Sequence, residues 1–256
     1  MPVGEMLRDW RVRRRLTQLQ LANRAGVSTR HLSFLETGRA TPSREMLLHL
    51  AERLDVPLRE RNVLLVASGY APAFPESALD APPMAAVTAA MRQVLAGHEP
   101  YPALVVDRLW NIVDSNAACE MFLAGAKPHL LEPPVNALRL TLHPEGMAPR
   151  IANLGEWRAH LLRGLARQVA ATGDGDLARL YDELRAYPCD RPEPDVETPG
   201  PGQFAVPLRI GHDGRELAFV STLATFGTPL DVTVSELLIE SFFPADAATA
   251  QVLRGR

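Results

Sequence analysis

Thr29, Arg30, Ser33 and Phe34 fall within six residues of one another in the stretch "VSTRHLSFLE". On a helix they share one side, and Leu32 and Leu35 occupy the other. An arginine guanidinium can give two hydrogen bonds to a guanine edge. Threonine and serine hydroxyls can bond several bases, and a phenylalanine ring can lie on a thymine methyl. A phenylalanine on the polar side of a helix otherwise has only its own domain's surface to pack against.

The residues around this stretch fit the task of presenting it. Thr17 can cap a first short helix, leaving Gln18 at its exposed N-terminal end and turning Leu19, Leu21 and Ala22 inward. Gly26 falls where a tight turn needs a residue without a Cβ. Ser28 can cap the second helix, whose free amides and positive dipole then point outward. Helices this short are marginal alone in water, so the neighbouring chain must hold them. "VGEMLRDWRVRRRL" carries Val3, Leu7 and Trp10 on one stripe, and "SREMLLHLAERLDV" carries Met46, Leu47, Leu50 and Leu54 on another. "PLRERNVLLVASG" starts at Pro57 and stops at Gly69. Residues 1–70 are therefore expected to form five helices.

The formal net charge is −3, but it is unevenly spread. Residues 1–70 hold 12 arginines against seven acids; residues 71–256 hold 15 basic residues against 23 acids. Only the first segment is suited to a polyanion. "YAPAFPESALDAPP" has four prolines in 14 residues, which puts a proline-rich linker at 71–83. Beyond it, helix and strand patterns alternate. "ALVVDRLWNIVDSN" is β-rich with a turn near Asp107, and "AACEMFLAG" is a short helix capped by Asn116. Leu154, Trp157, Leu161, Leu165 and Val169 form one helical face, and "GDLARLYDELRAY" gives another helix. "PCDRPEPDVETPGPG" is a loop. The stretch from Gln203 to Pro244 is expected to be sheet, with Phe204, Val206, Leu208 and Ile210 alternating and a hairpin at "HDGR". No segment has the apolar length of a membrane helix or the apolar core of a signal peptide, so the expected location is the cytoplasm. Cys119 and Cys189 lack metal-like spacing and are expected to be free thiols.

"TQLQLANRAGVSTRHLSFLETGRATPS" resembles the XRE-type helix-turn-helix of lambda-like repressors. By position in that motif, Thr29, Arg30 and Phe34 match base-facing sites. Gln18, Ser28, Arg39 and Ser43 match backbone-facing sites. "YPALVVDRLWNIVDSNAA", "LHPEGMAPRIANLGEWRAHLLRGL" and "STLATFGTPLDVTVSELLIESFFPAD" resemble the MmyB-like ligand-binding domain of actinobacterial XRE regulators over nearly all of residues 84–250, which places the sensor domain at 84–256. The resemblance implies a PAS-like α+β domain with a curved antiparallel sheet, and a small lipophilic ligand of fatty-acid type. The implied whole is a DNA-binding regulator that works as a homodimer on an inverted repeat. The competing class is a protein-interaction scaffold built on a helix-turn-helix-like module.

Candidate ligand contacts are His143 in the polar "HPEG" loop, Trp157 and Arg158 at the start of the long helix, and Phe219 and Phe226 near the sheet. Arg158, with His143 second, is the expected partner for a ligand carboxylate. Each has a plainer reading, as core ring or structural ion pair, and Phe242 and Phe243 share it. His143 has no second histidine at metal spacing, and "GDGD" reads as a helix cap rather than a calcium loop. A Gly-x-Ser-x-Gly elbow, a glycine-rich phosphate loop and a His-Glu-x-x-His motif are all missing. The expected protein is not an enzyme and carries no cofactor or metal.

Overall fold

The computed structural model describes residues 1–194 and 205–255. These form two compact units. The first takes in Met1–Ala78 with the short stretches Ala170–Gly173 and Thr228–Ser235; the second takes in Leu79–Val169, Asp174–Gly227 and Glu236–Arg256.

The first unit opens with five helices: α1 (Val3–Arg13), α2 (Gln18–Ala25), α3 (Thr29–Glu36), α4 (Arg44–Arg53) and α5 (Leu58–Ala67). Each contributes to one apolar core, which includes Leu7, Trp10, Leu21, Leu32, Leu50 and Leu65. The short helices persist because their ends are closed locally. Thr17 Oγ1 accepts from the Gln20 amide while Gln20 Oε1 accepts from the Thr17 amide, a reciprocal capping box. Ser28 Oγ accepts from the His31 amide, and Ser43 Oγ from that of Met46. Gly26 closes α2 at φ +64°. Leu19 departs from the sequence expectation: it is 59% exposed. The face that α2 buries is set by Leu21, Ala22 and Ala25, and Leu19 lies about 110° from its centre. The expected linker also begins later than its prolines imply. Asn62 Oδ1 accepts from the amides of Ala73 and Phe74, and its Nδ2 donates to the Phe74 carbonyl, tying this segment to α5.

The second unit is α+β. Its antiparallel sheet has strands β1 (Ala103–Val106), β2 (Ile112–Ser115), β3 (Leu208–His212), β4 (Arg215–Ala224) and β5 (Leu238–Pro244), in the order β2-β1-β5-β4-β3. Two helices flank it at the ends of its sequence, α6 (Ala85–Gly97) and α12 (Ala247–Arg254). Between β2 and β3 run α7 (Glu120–Leu123), α8 (Ala137–Leu142), α9 (Leu154–Thr172) and α10 (Gly175–Ala186). The β3–β4 hairpin turns on Asp213 and Gly214, both at positive φ (+49° and +72°), the geometry an Asp-Gly pair favours. Phe204 lies outside the described residues, and the strand begins at Leu208. The expected continuous sheet is broken at Val232–Ser235, which forms a helical turn, α11, because Asp231 Oδ1 accepts from the Thr233 and Val234 amides.

The two faces of the sheet bury different cores. Ala103, Val105 and Ile239 pack with Met91 and Leu95 of α6. Leu104, Val106, Phe219 and Phe242 belong to the main core with α8, α9 and α10. Asn116 does not cap the helix that follows it. It is buried, accepting from the Ala103 amide and donating to the carbonyls of Leu95 and Tyr101. It satisfies backbone groups at the end of α6 and the start of β1 that burial would otherwise leave unpaired.

Candidate nucleic-acid interface and ligand cavity

The outer side of α3 is polar and open. Ser28, Arg30, Arg39 and Ser43 are exposed; Gln18, Thr29, Ser33 and Phe34 are half-buried. Phe34 carries two cations near its ring, with the Arg30 guanidinium carbon 5.3 Å and the Arg39 one 6.0 Å from its centroid. The ring thus positions both guanidiniums on the open side, a role the sequence reading did not assign to it.

The inner side of α3 is locked by a buried ion pair. Arg11 Nε and Nη2 donate to Glu36 at 2.7 and 2.8 Å, and Glu36 is 5% exposed. The carboxylate raises the Arg11 pKa through this hydrogen bonding. Gln18 Nε2 donates to the same carboxylate at 2.8 Å, so one acid in α3 fixes α1 and the N-terminus of α2 together. Gly4 completes the junction. A Cβ there would lie 2.3 Å from the Leu35 carbonyl oxygen and 2.8 Å from that of Glu36. Gly4→Ala is expected to destabilise the unit by about 1–3 kcal/mol, the range for overpacking. Thermal melts of the two proteins check this, and equal midpoints would mean that α1 and α3 separate freely.

In the second unit a cavity of about 540 Å³ opens between the sheet and α7–α9, within the usual size range of ligand sites. Its wall is largely apolar, including Leu104, Ile112, Phe122, Leu140, Trp157 and Phe242. Cys119, Asn116, Thr141, Glu120 and Glu240 add polar atoms. Among the described residues no arginine, lysine or histidine lines it. Glu240 is 8% exposed, and burial pushes its carboxyl up to about 7, opposed by a hydrogen bond from Ser221. Burial likewise drives the Cys119 thiol up to about 12, which leaves it an unreactive wall group.

Of the five ligand contacts nominated from sequence, Trp157 lines this cavity; His143, Arg158, Phe219 and Phe226 do not. Arg158 is buried and ion-paired with Glu193, and donates to the carbonyls of Leu184 and Arg185 at the end of α10. Phe219 is fully buried, edge-on to Phe122 and Phe242. Phe226 packs with the α6 core. His143 lies edge-on to Tyr187 and His129. The fold thus brings a second histidine to His143 that sequence spacing concealed. Potential ligand atoms of His129, His143 and Glu145 lie within 4.8 Å of one another. His143 Nδ1, however, accepts from the Glu145 amide at 3.1 Å. The neutral ring then keeps its proton on Nε2, so neither nitrogen offers a free lone pair to a metal. Glu240 was missed from sequence, although "LIESFFP" signals it: a strand places Leu238, Glu240 and Phe242 on one face.

The chain thus joins a helix-turn-helix with an open, arginine-bearing second helix to an α+β unit with an apolar cavity. Residues 87–255 match the MmyB-like transcription regulator ligand binding domain, and residues 7–61 match a helix-turn-helix family. The chain belongs to the MmyB-like family. It is similar to RghRB, an uncharacterized HTH-type transcriptional regulator of Bacillus subtilis (strain 168), with 40% identity over 81 residues. That match takes in 31% of this chain and 56% of the relative. Among the described residues no helix is long and apolar enough to cross a membrane.

Proposed function

We propose that residues 1–70 read a specific duplex DNA operator and that residues 84–256, a PAS-like sensor, bind a small lipophilic molecule in the cytoplasm. The observation that carries the first part is the outer side of α3, where Thr29, Arg30, Ser33 and Phe34 stand opposite the buried Leu32 and Leu35. Base readout falls to these four residues, with Arg30 bidentate to guanine. Gln18, Ser28, Arg39 and Ser43 hold phosphates. The arginine-rich segment adds an attraction that weakens steeply with salt. One helix-turn-helix reads one half-site, so a homodimer on an inverted repeat is expected, with half-sites about one helical turn apart.

The sensor reading rests on the apolar cavity. A lipophilic chain meets its requirements. A fatty acid meets them along its chain, and its carboxyl is the part for which the lining provides no cation.

Selection of binding sites from random duplexes tests the DNA reading. Arg30→Ala is expected to cost about 1–3 kcal/mol and to relax preference at one base pair, whereas Arg39→Ala weakens all sequences alike. If neither change alters affinity or the selected profile, α3 is not the reading helix, and the scaffold reading takes its place. Light scattering with and without the selected operator tests the dimer; a monomer in both states rejects it.

A further inference from the structure

The cavity's polar groups are acids and neutral donors or acceptors, with no cation among the described residues that line it. Glu240 sits on the central strand β5, paired with Leu104 of β1 and Leu223 of β4, so its side chain lies on the main-core face of the sheet. The neighbouring wall adds Glu120, Cys119 and Thr141. The indole N–H of Trp157 is fully covered and has no acceptor among the described residues, so it is not open to a bound head group. A buried carboxylate met by a neutral hydroxyl, here that of Ser221, and by no cation is costly to ionise, and a ligand that supplies a positive donor lowers that cost. A ligand carboxylate would add a second acid to the same apolar space, where two close like charges cannot both stay ionised.

We propose that the cavity takes an apolar molecule ending in a protonated amine, with Glu240 as the anionic anchor for the nitrogen and the aliphatic and aromatic wall as the site for its chain. This rests on the reading of the cavity as the ligand site. The ammonium donates to Glu240 and the chain lies among Leu104, Leu140 and Phe242. Glu240 must be ionised to form the pair, so bound amine holds it deprotonated and affinity rises with pH while Glu240 titrates. The groups facing it are Ser221 on β4, Cys119 and Glu120 before and in α7, and Leu104 on β1. Cys119 stays protonated in this range, and Glu120 is exposed.

The probes are decylamine, decanol and decanoic acid, equal in chain length and different in head group. Calorimetric titrations at neutral pH compare the full chain with Glu240→Gln. Decylamine is expected to bind at least tenfold more tightly than decanoic acid, and Glu240→Gln is expected to abolish that preference while leaving decanol affinity within about twofold. Decanol binding by the variant also shows that the cavity is intact. A preference for decanoic acid, or an amine preference that survives in Glu240→Gln, overturns the amine proposal and leaves the cavity as a lipid site. Failure of all three probes to bind the native chain overturns the cavity reading itself.

Discussion

Replacing Glu36 with alanine is expected to lower the stability of the DNA-binding unit by about 3–5 kcal/mol, the cost of leaving a buried charge without its partner. Glu36 receives two hydrogen bonds from Arg11 and one from Gln18, and the Arg11 and Glu36 side chains are 11% and 2% exposed. With the carboxylate gone, the Leu16 carbonyl at 2.8 Å is the acceptor left to the Arg11 guanidinium among the described residues. For a unit of this size each kcal/mol corresponds to about 4–8 °C in Tm, so calorimetry resolves the effect easily. The double change Arg11→Met with Glu36→Leu is expected to recover much of the loss, because a packed apolar pair carries no desolvation penalty. It removes the Gln18 acceptor too, and so separates the anchoring of α2 from the stability of the junction. If Glu36→Ala alone shifts stability by less than about 1 kcal/mol, the pair is not what holds α3 to α1.

The helix-turn-helix was legible in sequence because its determinants are local. Thr17 and Ser28 accept from amides three residues ahead, and the Gly26 amide donates to carbonyls three and four residues back; caps of that kind are written in consecutive residues. The α3 outer face followed from helical periodicity alone. Leu19 was misplaced for the complementary reason: a leucine near the start of a helix looks inward until the centre of the buried face is worked out, and Leu21, Ala22 and Ala25 put that centre elsewhere. Arg11 and Glu36 stand 25 residues apart, and nothing in their spacing couples them.

The second unit was legible as alternating helix and strand, but its cavity was not. The wall is assembled from β1, β2, α7, the loop before α8, α8, α9, β3 and β5, whose residues run from Leu104 to Phe242. Arg158 has the residue type to hold a carboxylate. Its assignment was decided instead by the end of α10 and by Glu193, which bring acceptors to it. Chemical type nominated it, and tertiary placement gave it a structural task. The opposite holds for Glu240. Its type argues against burial, yet strand alternation between Leu238 and Phe242 already put it on the apolar face.

Glu240 also gives the chain a pH-dependent stability that a single substitution should remove. Its carboxyl titrates at about 7 in the folded protein against 4.5 for the unperturbed group, with burial as the main cause. Between those values the native state holds a proton that the unfolded chain has released. Stability therefore falls as pH rises through this window, and the favourable contribution is fully present only below it. At about 1.4 kcal/mol per pH unit, the loss amounts to roughly 3 kcal/mol once the pH exceeds 7. Glu240→Gln keeps the shape and cannot ionise, so this term vanishes. Thermal melts at pH 5, 6, 7 and 8 should show the variant gaining on the native chain up to about pH 7 and levelling off by pH 8. Glu183 is not a confounder, because Arg139 holds its carboxyl below the usual carboxylate range and its contribution is lost only at lower pH. A difference between the two proteins that stays constant across the series would mean that Glu240 is already ionised in the folded state and paid for by contacts other than Ser221. Saturating decylamine offers an independent check on the same carboxyl. By holding Glu240 ionised, it should stabilise the native chain more at pH 8 than at pH 6, while its effect on Glu240→Gln should be insensitive to pH in that range.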